Sequence, residues 1–543
     1  MPTSRVIDYG AFPQPPHALF LDYVAGRPGV APFFADGARW DLAAIEEASR
    51  RTLKRNVSRD ALARALVRQQ EALGSAEAAR SAARLKDPEA VAVVTGQQPV
   101  LFGGPLFVLY KALAALEIAA RLERARGGKP VVPVFWVAAD DHDFAEIRSL
   151  PVLDEAGTLR PLRYVPHKEP AGEPASAILL DEAIVPLLAE LGQCLPAGEP
   201  RDSLTALLGD AYRPGRPFSA AFAQLIASLL PSLVVLDAGD PELKALTTPV
   251  LARELREGSP SSCAAAEAAS RLRAAGYHQQ VPVREGLLNA FLIDGGVRRP
   301  LGITDGRIEI RGTPQTMTVD EAVRLAETQP ARLSAGVLLR PLAQDQLLPT
   351  AAYVGGPAEI AYHAQIGGAY ERFGLPRPVL VPRPGVTLLD APRARALESE
   401  GLDITDLQGD AERLISRWVR QAYPDVEGGF ERVRSGVTRE MAELENALAG
   451  HDPTLRGAAG TALGRMLHQL DGLQEKSMRA LKKRDQTRAE RLRRTHDVLF
   501  PGGSFQERGL GFVSLLARHG LGLIDTLRES IDPFARGHQV VTL

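Results

Sequence analysis

Three short runs of unbroken apolar, largely β-branched residues constrain this chain's fold more than any other feature: Ala90 to Thr95 (AVAVVT), Val131 to Ala138 (VVPVFWVA) and Leu233 to Ala238 (LVVLDA). A strand with one face in water alternates apolar and polar residues, so a run without alternation suits a strand covered on both faces, as in a parallel sheet. Between the first two lie a turn-rich stretch, Gly96 to Pro105, and a helical stretch, Leu106 to Arg126, which together make a strand, helix, strand unit. A further run, Pro378 to Val381, ends in turn-prone residues from Pro382 to Gly385. Alternation on this scale predicts an α/β fold with a doubly wound, Rossmann-like parallel sheet.

Other textures interrupt that pattern. The first ninety residues read as a helical lead-in, with apolar residues at three- and four-residue spacing over Trp40 to Thr52 and Arg59 to Leu73. Gln279 to Gly312 alternates in short segments around Gly-Gly and Asp-Gly turns at Gly295 and Asp305, which predicts a small antiparallel insertion. From Ala391 a heptad-like rhythm takes over: Phe430, Val433, Val437, Met441, Leu444 and Leu448, then Leu463, Met466, Leu470 and Leu473. An antiparallel coiled-coil arm fits it better than two amphipathic helices laid on the core. The expected division is residues 1–390 as the core, with inserted segments near 151–230 and 279–330; 391–500 as the coiled coil; and 501–543 as a tail returning to the core.

Charge and cysteine content narrow the setting. A formal net charge of −2 over 543 residues offers no overall attraction to phosphate backbones or anionic membranes. The basic run from Lys482 to Arg494 lacks interleaved aromatics and reads as a solvated helix face rather than a nucleic-acid site. Two cysteines, Cys194 and Cys263, are too few for a disulfide framework and suit a reducing compartment, so a cytoplasmic protein is expected. The first ten residues lack a signal-peptide pattern and no long apolar run follows, so neither export nor membrane spanning is expected.

Ligands of open parallel sheets bind beyond the carboxyl ends of the strands. The loop after the first run, from Thr95 and Gly96 through Gln97, Gln98, Gly103 and Gly104 to Lys111 in the following helix, suits a phosphate or carboxylate. It matches neither phosphate-loop nor dinucleotide patterns, and a tight structural turn accounts for it equally well. After the second run, Asp140, Asp141, His142 and Asp143 crowd acids around an imidazole, which suits general-base or metal chemistry, or else helix capping near Phe144. A third segment joins Arg340 to a Gly355-Gly356-Pro turn and an apparent helix start with Glu359 and Tyr362; it could close over a ligand or simply connect two elements. His167, His278 and His468 stand alone, and no Ser-His-Asp or Cys-His system stands out.

The blocks TGQQPVLFGGPLFVLYK, VPVFWVAADDHDFAEI and RPLAQDQLLPTAAYVGGPAEIAYHAQ, together with Phe33-Phe34, Arg383 and the QER at Gln506 to Arg508, resemble the cysteine-adding enzymes of bacillithiol synthesis, the BshC family, over essentially the whole chain. The resemblance implies a Rossmann-like core, a coiled coil that forms a homodimer, and addition of L-cysteine to glucosaminyl-malate as the last step of bacillithiol synthesis. By the family's likeness to class I aminoacyl-tRNA synthetases, ATP would activate the cysteine carboxylate and the sugar amine would attack it. His142, oriented by Asp141 or Asp143, is then the candidate base, with Asp140, the glycine loop, Lys111 and the third segment holding substrate. This chain has no His-x-Gly-His element after the first strand and no Lys-Met-Ser-Lys-Ser loop. ATP use therefore stays open, and a nucleotide is placed instead at Arg383, Pro384, Gly385, Thr387, Gln506 and Arg508. The rival reading is a metal-dependent hydrolase or sugar transferase with Asp140 to Asp143 as ligands, although no metal is assigned. A non-catalytic scaffold has little reason to keep such crowded acids.

Overall fold

The computed structural model describes residues 3–543, which divide into two units: the described residues up to 389 with 506–543, and residues 390–505. The centre of the larger unit is a five-stranded parallel sheet. Its strands are β1 (Val91–Gln97), β2 (Val131–Val137), β3 (Val234–Asp237), β4 (Thr350–Gly355) and β5 (Val379–Pro382), in spatial order β5-β4-β1-β2-β3. The runs that lacked alternation are buried on both faces: every residue of β2 is buried, and so is β1 up to Gly96. The chain adds strands outward on one side of β1 and then on the other, so the order reverses between β1 and β4. At such a switch point the flanking connections leave on opposite faces, and a crevice opens beyond the strand ends.

Helix α1 (Leu106–Ala125) follows β1 and buries Leu109, Leu113, Leu116 and Leu122 at helical spacing, together with the charged Lys111. Asp240 caps α2 (Pro241–Arg256) after β3, its carboxylate accepting from the Glu242 and Leu243 amides. Two helices frame β4: α3 (Arg340–Leu347) before it and α4 (Pro357–Gln365) after it. Between β3 and β4 the chain builds the antiparallel insertion expected from its turns. Strands Leu287–Asp294, Val297–Thr304, Arg307–Ile310 and Thr316–Thr318 form a meander, and Leu333–Ala335 pairs with the free edge of the first.

Four strands are additions to the sequence reading. β4 is not expected from the sequence, which shows only the Gly355-Gly356-Pro turn at its end, because its Ala-Ala-Tyr core lacks the β-branched signature. It is a strand because β1 and β5 pair with both its edges and every residue from Thr350 to Gly355 is buried. The supposed turn ending at Gly385 instead starts a strand, Gly385–Leu389, parallel to the C-terminal strand His538–Thr542, whose other edge takes Thr3–Ile7 from the lead-in. These pairings join segments far apart in sequence, Gly385 with His538 and Thr3 with Thr542, so no local pattern announces them.

The smaller unit contains the long helices Pro424–His451 and Leu455–Arg484, joined by a short turn and packed on each other. Phe430, Val437, Met441, Leu448, Leu463 and Leu470 of the apolar rhythm are half-buried. Val433, Leu444, Met466 and Leu473 are exposed, at 48–55% of their surface. This is the coiled-coil architecture expected from the heptads.

Candidate active site

A cavity of about 760 Å3 opens beyond the carboxyl ends of β1, β2 and β4, within the size range of small-molecule sites. The sheet contributes Gln97, Trp136 and Gly356 to its wall; α2 and α3 contribute Lys244 and Arg340; and the inserted sheet contributes Phe291, Arg298 and Ser334. Among the lining side chains Lys111, Lys244, Arg298, Arg340, Arg383 and Arg508 outnumber the acids Asp140, Asp141, Glu146 and Glu359. The wall is therefore basic, although the chain as a whole is nearly neutral.

Lys111 is the best anchored of these cations. It enters from α1 with its side chain 2% exposed and forms an ion pair with Glu359. Its ammonium also donates to the Gly96 carbonyl at 2.9 Å and to Gln97 Oε1 at 3.1 Å. Burial pulls the Lys111 ammonium below its ordinary pKa, with Glu359 opposing. Burial alone would raise Glu359, but the Lys111 charge and hydrogen bonds from Tyr353 Oη (2.6 Å) and the Gly356 amide (2.7 Å) outweigh it and hold the carboxyl below the usual glutamate range. The Gly355-Gly356-Pro turn is thus a helix start whose third residue, Glu359, serves both the helix and the lysine.

Arg340 is differently placed. It donates to Gln344 Oε1 at 2.9 Å and to Tyr362 Oη at 3.0 Å, and its guanidinium lies 5.6 Å from the Tyr353 ring. Among the described residues it has no carboxylate partner, and neither has Arg508. Arg383 is 5% exposed and committed to Glu507, itself 3% exposed, at 3.3 Å. Burial raises the pKa of Glu507, with Arg383 opposing.

The acidic loop after β2 divides its residues among separate tasks. Asp140 pairs with Lys244 at 2.9 Å. Asp143 caps the short helix Phe144–Ile147, accepting from the Glu146 amide at 3.2 Å. Asp141 accepts from Gln98 Nε2 at 2.6 Å and from the His142 amide at 2.7 Å. Burial raises Asp141, but the bonds from His142 and Gln98 and the Arg298 charge outweigh it, so the carboxyl stays ionised far below the usual range. Arg298 rests 3.7 Å over the Phe291 ring, donates to Ser334 Oγ at 2.9 Å and lies 3.1 Å from His142 Nδ1. Since a guanidinium only donates, Nδ1 accepts, and Nε2 carries the proton in the neutral ring.

Comparison with known proteins places this geometry. Residues 7–384 match the bacillithiol biosynthesis BshC N-terminal Rossmann-like domain, and residues 386–543 match the BshC C-terminal coiled-coil domain. The chain belongs to the BshC family. A relative from Salinibacter ruber is 34% identical over 538 residues, covering 98% of this chain and 96% of the relative. One from Koribacter versatilis is 33% identical over 524 residues (95% and 96%), and one from Chlorobaculum tepidum is 32% identical over 511 residues (90% of each). All three carry the name "Putative cysteine ligase BshC".

In this BshC-family chain, Gly96, Gln97, Gln98, Lys111, Asp140, Asp141, Arg340, Gly356, Glu359 and Tyr362 of the three blocks line one cavity, together with Arg383 and Arg508 from the set expected to hold a nucleotide. Others are placed elsewhere. Thr95 is buried and its hydroxyl donates to the Val354 carbonyl at 2.9 Å, joining β1 to β4. Gly103 and Gly104 stand at positive φ, and a Cβ on Gly103 would overlap the Phe512 ring, so this pair serves packing rather than ligand approach. Gly355 is buried inside β4. His142 is not among the lining residues, and neither Asp141 nor Asp143 holds its ring by a hydrogen bond: Asp141 Oδ1 stands 3.6 Å from Nδ1, where Arg298 is nearer.

The nucleotide set of the sequence reading also separates. Arg383 and Arg508 face the cavity, whereas Pro384 and Gly385 lead into the second sheet, and a Cβ on Gly385 would collide with the Tyr9 hydroxyl. Thr387 Oγ1 lies 2.8 Å from His538 Nε2. Gln506 clips the Leu388 backbone by bonds of 2.8 and 3.2 Å. The metal reading finds no donor set: no group of three or more His, Cys, Asp or Glu side chains among the described residues is arranged to hold an ion. The sequence reading missed Arg298, Lys244, Trp136, Phe107 and Glu507. Phe107 lies inside TGQQPVLFGGPLFVLYK, Trp136 inside VVPVFWVA and Glu507 inside the QER, so position carried a signal for these three; Arg298, in a polar hairpin, carried none.

Proposed function

We propose that the chain joins the carboxyl of L-cysteine to the amine of glucosaminyl-malate, completing bacillithiol. The observation that carries this reading is Arg340, a guanidinium on the cavity wall whose hydrogen-bond partners are neutral. A guanidinium offers paired N–H groups that match a carboxylate, and malate brings two carboxylates to a wall where cations outnumber acids. Lys111 and Lys244 are already neutralised by Glu359 and Asp140, so they shape the cavity more than they attract charge. Cysteine's carboxyl needs activation before an amine can attack it; ATP would supply a phosphate leaving group. Arg508, with Arg383 beside it, is the part of the expected nucleotide set that fits this task.

Two coarser readings accompany it. The exposed apolar stripe on the helical hairpin suits a second copy of the chain, giving a homodimer through the coiled coil. Cys194 and Cys263 are both free, in keeping with a cytoplasmic protein. No helix among the described residues is long and apolar enough to cross a membrane.

The test is direct. Purified protein incubated with cysteine, glucosaminyl-malate and ATP should give the condensed thiol by mass spectrometry, together with ADP or AMP. Recovery of both substrates unchanged would refute the reading, and product without nucleotide turnover would refute the ATP step.

A further inference from the structure

Gln97 and Gln98 are neighbours in sequence, yet their amides are locked with opposite polarity. Lys111 can only donate, and it meets Gln97 at 3.1 Å, so the carbonyl oxygen of that amide faces the lysine and its NH2 group is left to the cavity. The lysine is itself held by Glu359 and the Gly96 carbonyl, so it has little freedom to release the amide. At Gln98 the partner is the Asp141 carboxylate, which can only accept; the NH2 donates there at 2.6 Å and the carbonyl oxygen is left to the cavity. One glutamine thus presents donors to a ligand and the next presents an acceptor, both fixed before any ligand arrives.

This pairing matches what amide formation asks of an active site. Resting on the ligase reading above, we propose that Gln97 is a catalytic residue whose amide N–H stabilises the oxyanion formed when the sugar amine attacks the acyl carbon of activated cysteine. In that step the amine lone pair forms the C–N bond and the carbonyl π electrons move onto oxygen, where Gln97 donates to them. The oxyanion then collapses, the phosphate-containing leaving group departs with its bonding pair, and the extra amine proton passes to solvent. Gln98 Oε1 accepts from the incoming amine and directs its lone pair. Lys111 and Asp141 act through the two glutamines and are positioning residues. A donor fixed before charge develops needs no reorganisation during the reaction, and therefore lowers the barrier more than it tightens substrate binding.

The experiment compares kcat and KM of the full-length wild type with Gln97→Met and Gln97→Glu, with thermal melts confirming the fold. Both variants remove the donor, while only Gln97→Glu adds charge, so a loss shared by the two is not charge repulsion. Each is expected to lower kcat by about 10²–10³-fold, with KM for cysteine and acceptor within about threefold of wild type. Lys111→Met should lower kcat in the same direction, and adding it to Gln97→Met should cost little more, because both act on one donor. A Gln97→Met enzyme with kcat near wild type, or a loss confined to KM, would overturn the oxyanion assignment and leave the ligase reading standing. A wild type that forms no amide from these substrates would overturn both.

Discussion

Replacing Lys111 by methionine isolates what the buried ion pair contributes. Methionine keeps most of the aliphatic stem that packs within α1, so the change removes chiefly the ammonium and leaves little cavity. Glu359 would keep the Tyr353 hydroxyl and the Gly356 amide as donors but lose its one ion-pair partner among the described residues. Breaking one side of a buried pair costs about 3–5 kcal/mol, because the remaining charge stays desolvated. Glu359 is 20% exposed at the cavity wall and keeps two hydrogen bonds, so the expectation lies at the lower end, about 3 kcal/mol. Removing the second charge as well, in Lys111→Met/Glu359→Gln, should recover most of that loss, since a glutamine oxygen can accept from the same two donors.

The pH dependence has a defined sign. Glu359 titrates below the ordinary glutamate value in the folded chain, so its stabilisation is complete above that value, about 4.3, and is lost as pH falls through the lower folded value. Without Lys111, burial pushes the Glu359 carboxyl upward relative to wild type, so the gap between wild type and Lys111→Met should be largest at neutral pH and narrow as pH falls through the carboxylate range, until the wild-type carboxyl is protonated as well. Equilibrium urea unfolding, followed by circular dichroism and by tryptophan emission at a series of pH values, measures it. A single variant within about 1 kcal/mol of wild type at neutral pH, or a double variant no more stable than the single, would refute the claim that this pair is desolvated and coupled.

Three further predictions use other parts of the chain. Arg340→Met should raise KM for the anionic acceptor by about 10–100-fold through loss of a charge-assisted bond, with melting unchanged; steady-state kinetics against acceptor concentration checks it. On the proposed homodimer reading, Leu444→Glu with Met466→Glu should shift the chain to a monomer by light scattering after gel filtration, because both are exposed apolar side chains of the hairpin; an unchanged mass would refute that reading. Gly103→Ala should lower stability by more than about 1 kcal/mol, since φ is +86° there and the new Cβ would meet Phe512; a thermal melt equal to wild type would contradict it.

How much could be read in advance varied with the range of the signal. β1, β2, β3 and β5 were legible because a strand buried on both faces needs apolar residues throughout. β4 was not: alanines at its centre carry no strand preference, and its burial depends on β5 and on β1, the latter more than two hundred residues away in sequence. At the site, Lys111, Glu359 and the glutamines were legible as loop and helix-start residues beside strands. Asp143 was legible only as a choice between chemistry and capping, and the geometry shows it capping Phe144–Ile147.

By itself, then, the order of residues determined the local periods: buried parallel strands, a helical arm with a heptad rhythm, a polar meander, and three loops carrying functional side chains. These follow from short-range rules, since burial on two faces, one face or a stripe each demands its own spacing. Tertiary structure decided which groups meet. It brought Glu359 to Lys111 across the switch point, set Arg298 of the inserted sheet against His142, and left Arg340 among neutral partners. It also fixed the polarity of each glutamine amide, because an amide turns toward whatever charge folding places beside it, and that partner lies 14 residues away for Gln97 and 43 for Gln98.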